Sequence, residues 1–227
     1  YYRTDVLGDP DLQAAFKEKL GYDLPVPPTT WKEFDEVGQF ITEYTDGKPY
    51  GAAFFREPGY GNFMFQERFR NEGGKFFDAD TMKATINSPE GVKVFSDWVA
   101  ENEWMPAGVQ TWGFVENLAA FLQGDTAMTV SWPPYGRWAA GYGTDEEALS
   151  WVPKSQIAGK VGYALPPGGH PELAAGFGID GKVFAQRFAS DETRENSLKD
   201  FQMSRHMESS PCFGCQWMIF SASELSA

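Results

Sequence analysis

Residues 115–138 read VENLAAFLQGDTAMTVSWPPYGRW. The spacing predicts a helix over roughly 115–123 that stops at Gly124, a residue free to take the left-handed turn that ends helices. A short β-like run, Ala127–Val130, follows and ends in Ser131-Trp132-Pro133-Pro134. Beyond the prolines come Tyr135, Arg137, Trp138 and Tyr142, spaced by glycine and alanine. A helix, a strand and then a cluster of rings with an arginine is one αβ unit with something built at the strand's end. The cluster has three readings at this point: ordinary core, a protein contact, or a stacking surface for a ligand.

The same alternation runs through the chain. Tyr1–Leu7 reads as a strand. Asp9-Pro10-Asp11 opens a helix in which Leu12, Ala15, Phe16 and Leu20 keep helical spacing until Gly21. After the turn Pro25-Val26-Pro27-Pro28, Thr30-Trp31-Lys32-Glu33 forms a capping box, and Trp31, Phe34, Val37, Ile41 and Tyr44 share one face of the helix behind it. Tyr50–Phe55 is an apolar strand. Gly59–Asn71 is a helix stopped at Gly73-Gly74. Ser88-Pro89 starts another, with Val92, Phe95, Trp98 and Val99 as its expected buried stripe. Val161–Leu165 and Leu173–Ile179 read as strands. Trp31, Phe34, Phe95 and Trp98 are taken as core. Helices alternating with short strands imply an α/β fold with a helix-covered sheet.

Composition narrows the function. The chain has 227 residues, 42% of them hydrophobic, which suits one large domain or two small ones. Aromatic residues reach 16%, so some rings are expected at the surface. A net charge of −13 disfavours nucleic acid and anionic membranes as partners. Two histidines and two cysteines leave little material for a zinc site or a histidine-based triad, and no metal or cofactor is expected. No run of 18 apolar residues is present to form a spanning helix. The chain starts at Tyr1 rather than Met, which is read as processing or as a fragment.

Several stretches in order resemble the family 1 extracellular solute-binding proteins, the maltose-binding-protein-like sugar-binding components of ABC importers. They are Tyr2–Leu7, Pro28–Phe34, Gly73–Asp78, Ala84–Gly91, Phe121–Met128 and Ala158–Tyr163. The resemblance implies a periplasmic-binding-protein-like (type II) lobe with a mixed sheet covered by helices, spanning residues 1–180, with the first lobe largely missing. Hinge crossings would fall near 1–7, 130–136 and 174–179. Residues 181–227 would be a partial return segment and a tail that does not match. The implied partners are a carbohydrate and the ABC permease subunits in the membrane. The implied protein is a periplasmic or extracellular monomer, free or lipid-anchored, and not an enzyme.

A sugar is apolar on its C–H faces and polar at its edges, so its site needs aromatic platforms beside a few carboxylate, amide or guanidinium groups. Trp132, Tyr135 and Arg137 supply that mix where the resemblance puts the cleft. Glu57 and Tyr60, in Arg56-Glu57-Pro58-Gly59-Tyr60, match a loop that offers a carboxylate and a ring in maltose-binding relatives. Phe177, between Gly176 and Gly178, sits at a return crossing. Trp112 and Glu116 open the helix before the quoted strand. Each has a plainer reading: hinge packing for the rings, helix capping for Glu116, and pairing with Arg56 or solvent for Glu57. Asp78-Ala79-Asp80 lacks the glycine and closing glutamate of a calcium loop and reads as a turn. Cys212 and Cys215 have C-x-x-C spacing but no thioredoxin-like context. Two alternatives remain: a carbohydrate-active enzyme using carboxylates such as Glu57 and Glu116, and a non-catalytic structural or adhesion module.

Overall fold

The structure is a computed structural model and describes residues 1–142 and 149–168. In chain order its elements are β1 (Tyr2–Arg3), α1 (Thr4–Leu7), α2 (Pro10–Leu20), α3 (Trp31–Thr45), β2 (Tyr50–Ala53), α4 (Tyr60–Asn71), α5 (Pro89–Ala100), α6 (Phe114–Gln123), β3 (Thr126–Thr129), α7 (Pro134–Ala139) and β4 (Val161–Gly162). Single 3-10 turns occupy Glu101–Glu103 and Val109–Thr111.

Local chemistry explains most helix ends. The Asp9 carboxylate accepts from the N–H groups of Asp11 and Leu12 at the start of α2. Thr30 and Glu33 form the expected capping box, and Glu33 also accepts from Thr29. Ser88 caps α5, with Pro89 in its first turn. Gly21 and Gly124 end α2 and α6 at φ of 83° and 85°. The Asp78 carboxylate closes a turn on the N–H groups of Asp80 and Thr81.

The sheet is mixed, in the order β2-β3-β1-β4. β2 and β3 are parallel, with Ala52 opposite Met128. β1 runs antiparallel to both β3 and β4. Ala52, Ala53, Ala127 and Met128 are buried, as in parallel strands covered on both faces. α3 crosses β2 at a contact of two glycines, Gly38 and Gly51. A Cβ on Gly51 would overlap the Gly38 carbonyl, and one on Gly38 would strike the Trp104 ring. The core continues through Leu7, Phe16, Trp31, Val37, Ile41, Phe54, Phe55, Phe121 and Leu122.

Three sequence expectations need correcting. Tyr1–Leu7 is not one strand: pairing ends at Arg3, Thr4 N–H donates to the Lys160 carbonyl, and a single helical turn then buries Leu7. The strand expected over Val161–Leu165 stops at Gly162, where its pairing with Arg3 and Tyr2 ends. The stripe assigned to α5 faces outward: Val92, Phe95 and Val99 are 59%, 61% and 57% exposed. Its inner face is instead Gly91, Val94 and the half-buried Trp98, continuing into the buried Glu101. A glycine and a glutamate on the inner face hid it from a hydrophobicity pattern. Leu173–Ile179 and the Cys212–Cys215 pair lie outside the described residues.

Candidate functional site

Two parallel strands, β2 and β3, deliver their carboxyl ends to one place. After Ala53 the chain carries two consecutive fully buried rings, Phe54 and Phe55, pointing to opposite sides as extended backbone requires. Phe54 meets Trp31, Phe34 and Trp98. Phe55 meets Trp132, Tyr60, Phe114 and Tyr135. The next two N–H groups, of Arg56 and Glu57, both donate to the Trp112 carbonyl, at 2.9 and 3.0 Å, and tie this loop to the entrance of α6. Gly59, at φ 108°, then turns the chain into α4.

The result is an aromatic basin centred on Trp132. Its half-buried ring lies 5.0 Å from Phe55, 5.6 Å from Tyr60, 5.7 Å from Phe114 and 6.0 Å from Phe63, measured between centroids. Phe114 and Trp132 are close to parallel, at 23°. Tyr60 and Phe63 remain 37% and 42% exposed, so the basin has open rings on one side and a buried floor. Trp151 extends the group by way of Phe114 and Trp138.

Carboxylates border the basin at the first turn of α6. Glu116 accepts from the Gly113 N–H at 3.1 Å, as its capping reading anticipates. The Glu57 carboxylate packs on the same residue, where a Cβ on Gly113 would overlap its oxygens. Glu57 is therefore beside Gly113 and Phe114. Its neighbour Arg56 turns the other way and pairs with Glu101 rather than with Glu57.

The other candidates are placed differently. Tyr135 is fully buried, and its hydroxyl donates to the Phe114 carbonyl at 2.5 Å; burial also pushes that phenol above its ordinary range. It supports the basin from below and presents no face to a ligand. Arg137 is exposed on α7, whose inward residues are Tyr135 and Trp138. Trp112 belongs to the lining of a separate open groove of about 580 Å³ with Arg3, Lys48, Tyr50 and Asp125, at the amino ends of β2 and β3. Phe177 lies outside the described residues. Sequence reasoning missed Phe55, Phe63, Phe114 and Trp151. Phe63 was findable, three residues from Tyr60 on one helix; Trp151 carries no local signal.

Behind the Phe54 side lies a buried ionic group that the sequence did not disclose. Glu101 pairs with both Arg56 and Arg68, and Arg68 also reaches Asp35 at 2.6 Å. The Arg56 guanidinium lies 4.7 Å from the Phe54 ring and 4.5 Å from Trp98, and that of Arg68 lies 4.5 Å from Trp31. Burial, reinforced by the neighbouring Arg68, lowers the Arg56 pKa to about 9. Burial raises Asp35 to about 6 against the pull of Arg68. Among the described residues no three His, Cys, Asp or Glu side chains are grouped to hold a metal, and no helix is long and apolar enough to cross a membrane.

The family described as bacterial extracellular solute-binding protein matches residues 1–182. The chain belongs to this family. Solved solute-binding proteins agree. An ABC transporter solute-binding protein from Agrobacterium vitis S4 with bound D-mannitol is 26% identical, with a TM-score of 0.53 over 74% of this chain and 35% of its own. Maltose-bound MalE3 of T. maritima is 27% identical, with a TM-score of 0.52 over 74% of this chain and 37% of its own. A ribitol complex from Agrobacterium radiobacter K84, at 23% identity and a TM-score of 0.53 over 88% of this chain and 48% of its own, shares the fold. This solute-binding chain thus spans between about a third and a half of the length of these relatives. No curated protein matches it. Its mixed α/β fold is that of periplasmic sugar-binding proteins.

Proposed function

We propose that this chain forms a ligand-binding lobe of a solute receptor that captures a carbohydrate or polyol outside the cytoplasmic membrane and delivers it to an ABC permease. The observation that carries the reading is the Trp132 basin: open aromatic faces beside a carboxylate, at the carboxyl ends of two parallel strands, where open α/β sheets place ligands. Trp132, Tyr60 and Phe63 would stack on apolar sugar faces, and Glu57 would accept from ring hydroxyls. Arg137, on the neighbouring α7, would serve the rim. The D-mannitol and maltose held by relatives at 26% and 27% identity support the ligand class.

In this reading the described residues act as one lobe, with crossings near 1–7 and 130–136; the third crossing expected near 174–179, with Phe177, lies outside the described residues. The receptor works as a monomer and not as an enzyme. Glu116 is engaged in capping α6, which leaves Glu57 without a second free carboxylate at this helix turn. Calorimetric titration of the protein with maltose, D-mannitol and a dipeptide tests the proposal. Saturable heat with a sugar or polyol, accompanied by a change in tryptophan fluorescence that Trp132→Phe removes, is expected. Binding of the dipeptide with silence towards both sugars would overturn it.

A further inference from the structure

Arg56 and Glu57 are adjacent in sequence and point to opposite sides of the strand end. Glu57 reaches Gly113 beside the basin. Arg56 goes into the interior, where its donors meet Glu101, the Trp98 carbonyl and, at 3.4 Å, the Asn102 side chain. Its guanidinium is held between the Phe54 and Trp98 rings. The same Glu101 carboxylate also takes Arg68, two turns along α4 from Tyr60, and Arg68 passes the connection to Asp35 on α3.

One buried carboxylate therefore grips the site loop at its entry, through Arg56, and the last turn of the helix that carries Tyr60 and Phe63, through Arg68. Ahead of α4 the loop has Gly59 at positive φ and is tied by the Trp112 carbonyl, which accepts from the N–H groups of Arg56 and Glu57, and by Gly61 N–H, which donates to the Glu57 carbonyl. Buried ion groups are often no more stabilising than apolar side chains of the same volume. What a planar guanidinium with fixed donors supplies is a defined geometry.

We propose that Glu101, through Arg56 and Arg68, is the positioning residue of the ligand face: it sets where Glu57 and Tyr60 stand relative to Trp132. The inference rests on the reading of the basin as a sugar site. It concerns groups that touch no ligand themselves.

Glu101→Gln keeps the shape and part of the hydrogen bonding but removes the charge that both guanidiniums share. The expected result is a fall of about tenfold or more in affinity for the sugar the parent binds, since small displacements of a site carry effects of that size. Amide exchange at Glu57 and Gly61 should accelerate at least about tenfold more than exchange at Ala52 and Met128 in the sheet. Unchanged affinity, or acceleration spread equally over the sheet amides, would show a merely structural pair and overturn the proposal. Arg56→Lys, which keeps the charge and loses the fork, is read the same way if Glu101→Gln does not fold. Absence of sugar binding by the parent would instead fail the functional reading, and the exchange comparison still decides whether Glu101 holds the loop.

Discussion

Phe54 and Phe55 are equally buried neighbours, and they belong to two aromatic groups with opposite character. On the Phe54 side, Trp31, Trp98 and Phe54 close around two guanidiniums whose charges are met by Glu101 and Asp35. On the Phe55 side, Trp132, Tyr60, Phe63 and Phe114 meet one another and leave ring surface open, with a carboxylate at the edge. The difference teaches that rings in number do not mark a site. An aromatic group whose polar partners are supplied from within is architecture; one whose rings and carboxylate face outward has room for an outside partner.

The largest expected effect tests the closed side. Glu101→Ala leaves Arg56 and Arg68 buried without their shared counter-charge, and should lower stability by about 3–5 kcal/mol, read as a shift of the urea midpoint. A loss within the range of surface substitutions would show that the closed group is not closed. On the open side, Trp132→Ala should weaken sugar binding by about 1–3 kcal/mol. Its loss of stability should stay at about 1–2 kcal/mol, below the range for a fully buried tryptophan. Calorimetry and urea unfolding of that one variant compare the two. A stability loss at the buried level with affinity unchanged would move Trp132 to the architectural side.

A third test uses pH. Burial pushes the carboxyl of Glu67, on α4 one turn beyond Phe63, up to about 7 from an ordinary 4.5. Between those values the folded chain holds a proton that the unfolded chain releases. Stability from this group is therefore complete below about pH 4.5 and is lost as pH rises through 7. Glu67→Gln should match the parent near pH 4.5 and exceed it by about 1–2 kcal/mol at pH 8, a discounted share of the shift. Asp35, raised to about 6, slopes the same way and leaves a smaller fall in the variant. Equal pH profiles for the two proteins would place the Glu67 carboxylate in water. The smallest effect is expected at Phe95, exposed on α5: Phe95→Ser should change the stability of this chain by less than about 0.5 kcal/mol.

α3 and α5 show how far the sequence could be read. In α3 the apolar residues fall on one side and the box Thr30–Glu33 marks the start, so periodicity and inner face agree up to the last turn: Trp31, Phe34, Val37 and Ile41 are all buried, and Tyr44, the last of the stripe, is exposed. In α5 apolar residues lie on both sides. The face that packs is the one with Gly91, which brings the helix close to Phe69, and Trp98, which covers Arg56. Of the residues that meet in or beside the aromatic basin, Trp132, Tyr60 and Glu57 drew notice in the sequence because each stands beside a Pro or Gly at the end of an element. Phe114 and Trp151 were not, because their neighbours in space are remote in sequence.

Local sequence by itself determined most helix starts and stops and most of the alternation of helices and short strands, since caps, left-handed glycines and apolar spacing act within a few residues, and six stretches in order carried the resemblance to the family. Tertiary structure alone decided which of two adjacent phenylalanines floors the basin, that Arg56 turns away from Glu57 to meet Glu101, and that Tyr135 is interior while Tyr60 is open. Those outcomes depend on which faces of α4, α5 and α6 approach the strand ends. Burial and charge pairing between segments far apart in the chain select those faces, and no window of sequence contains both partners.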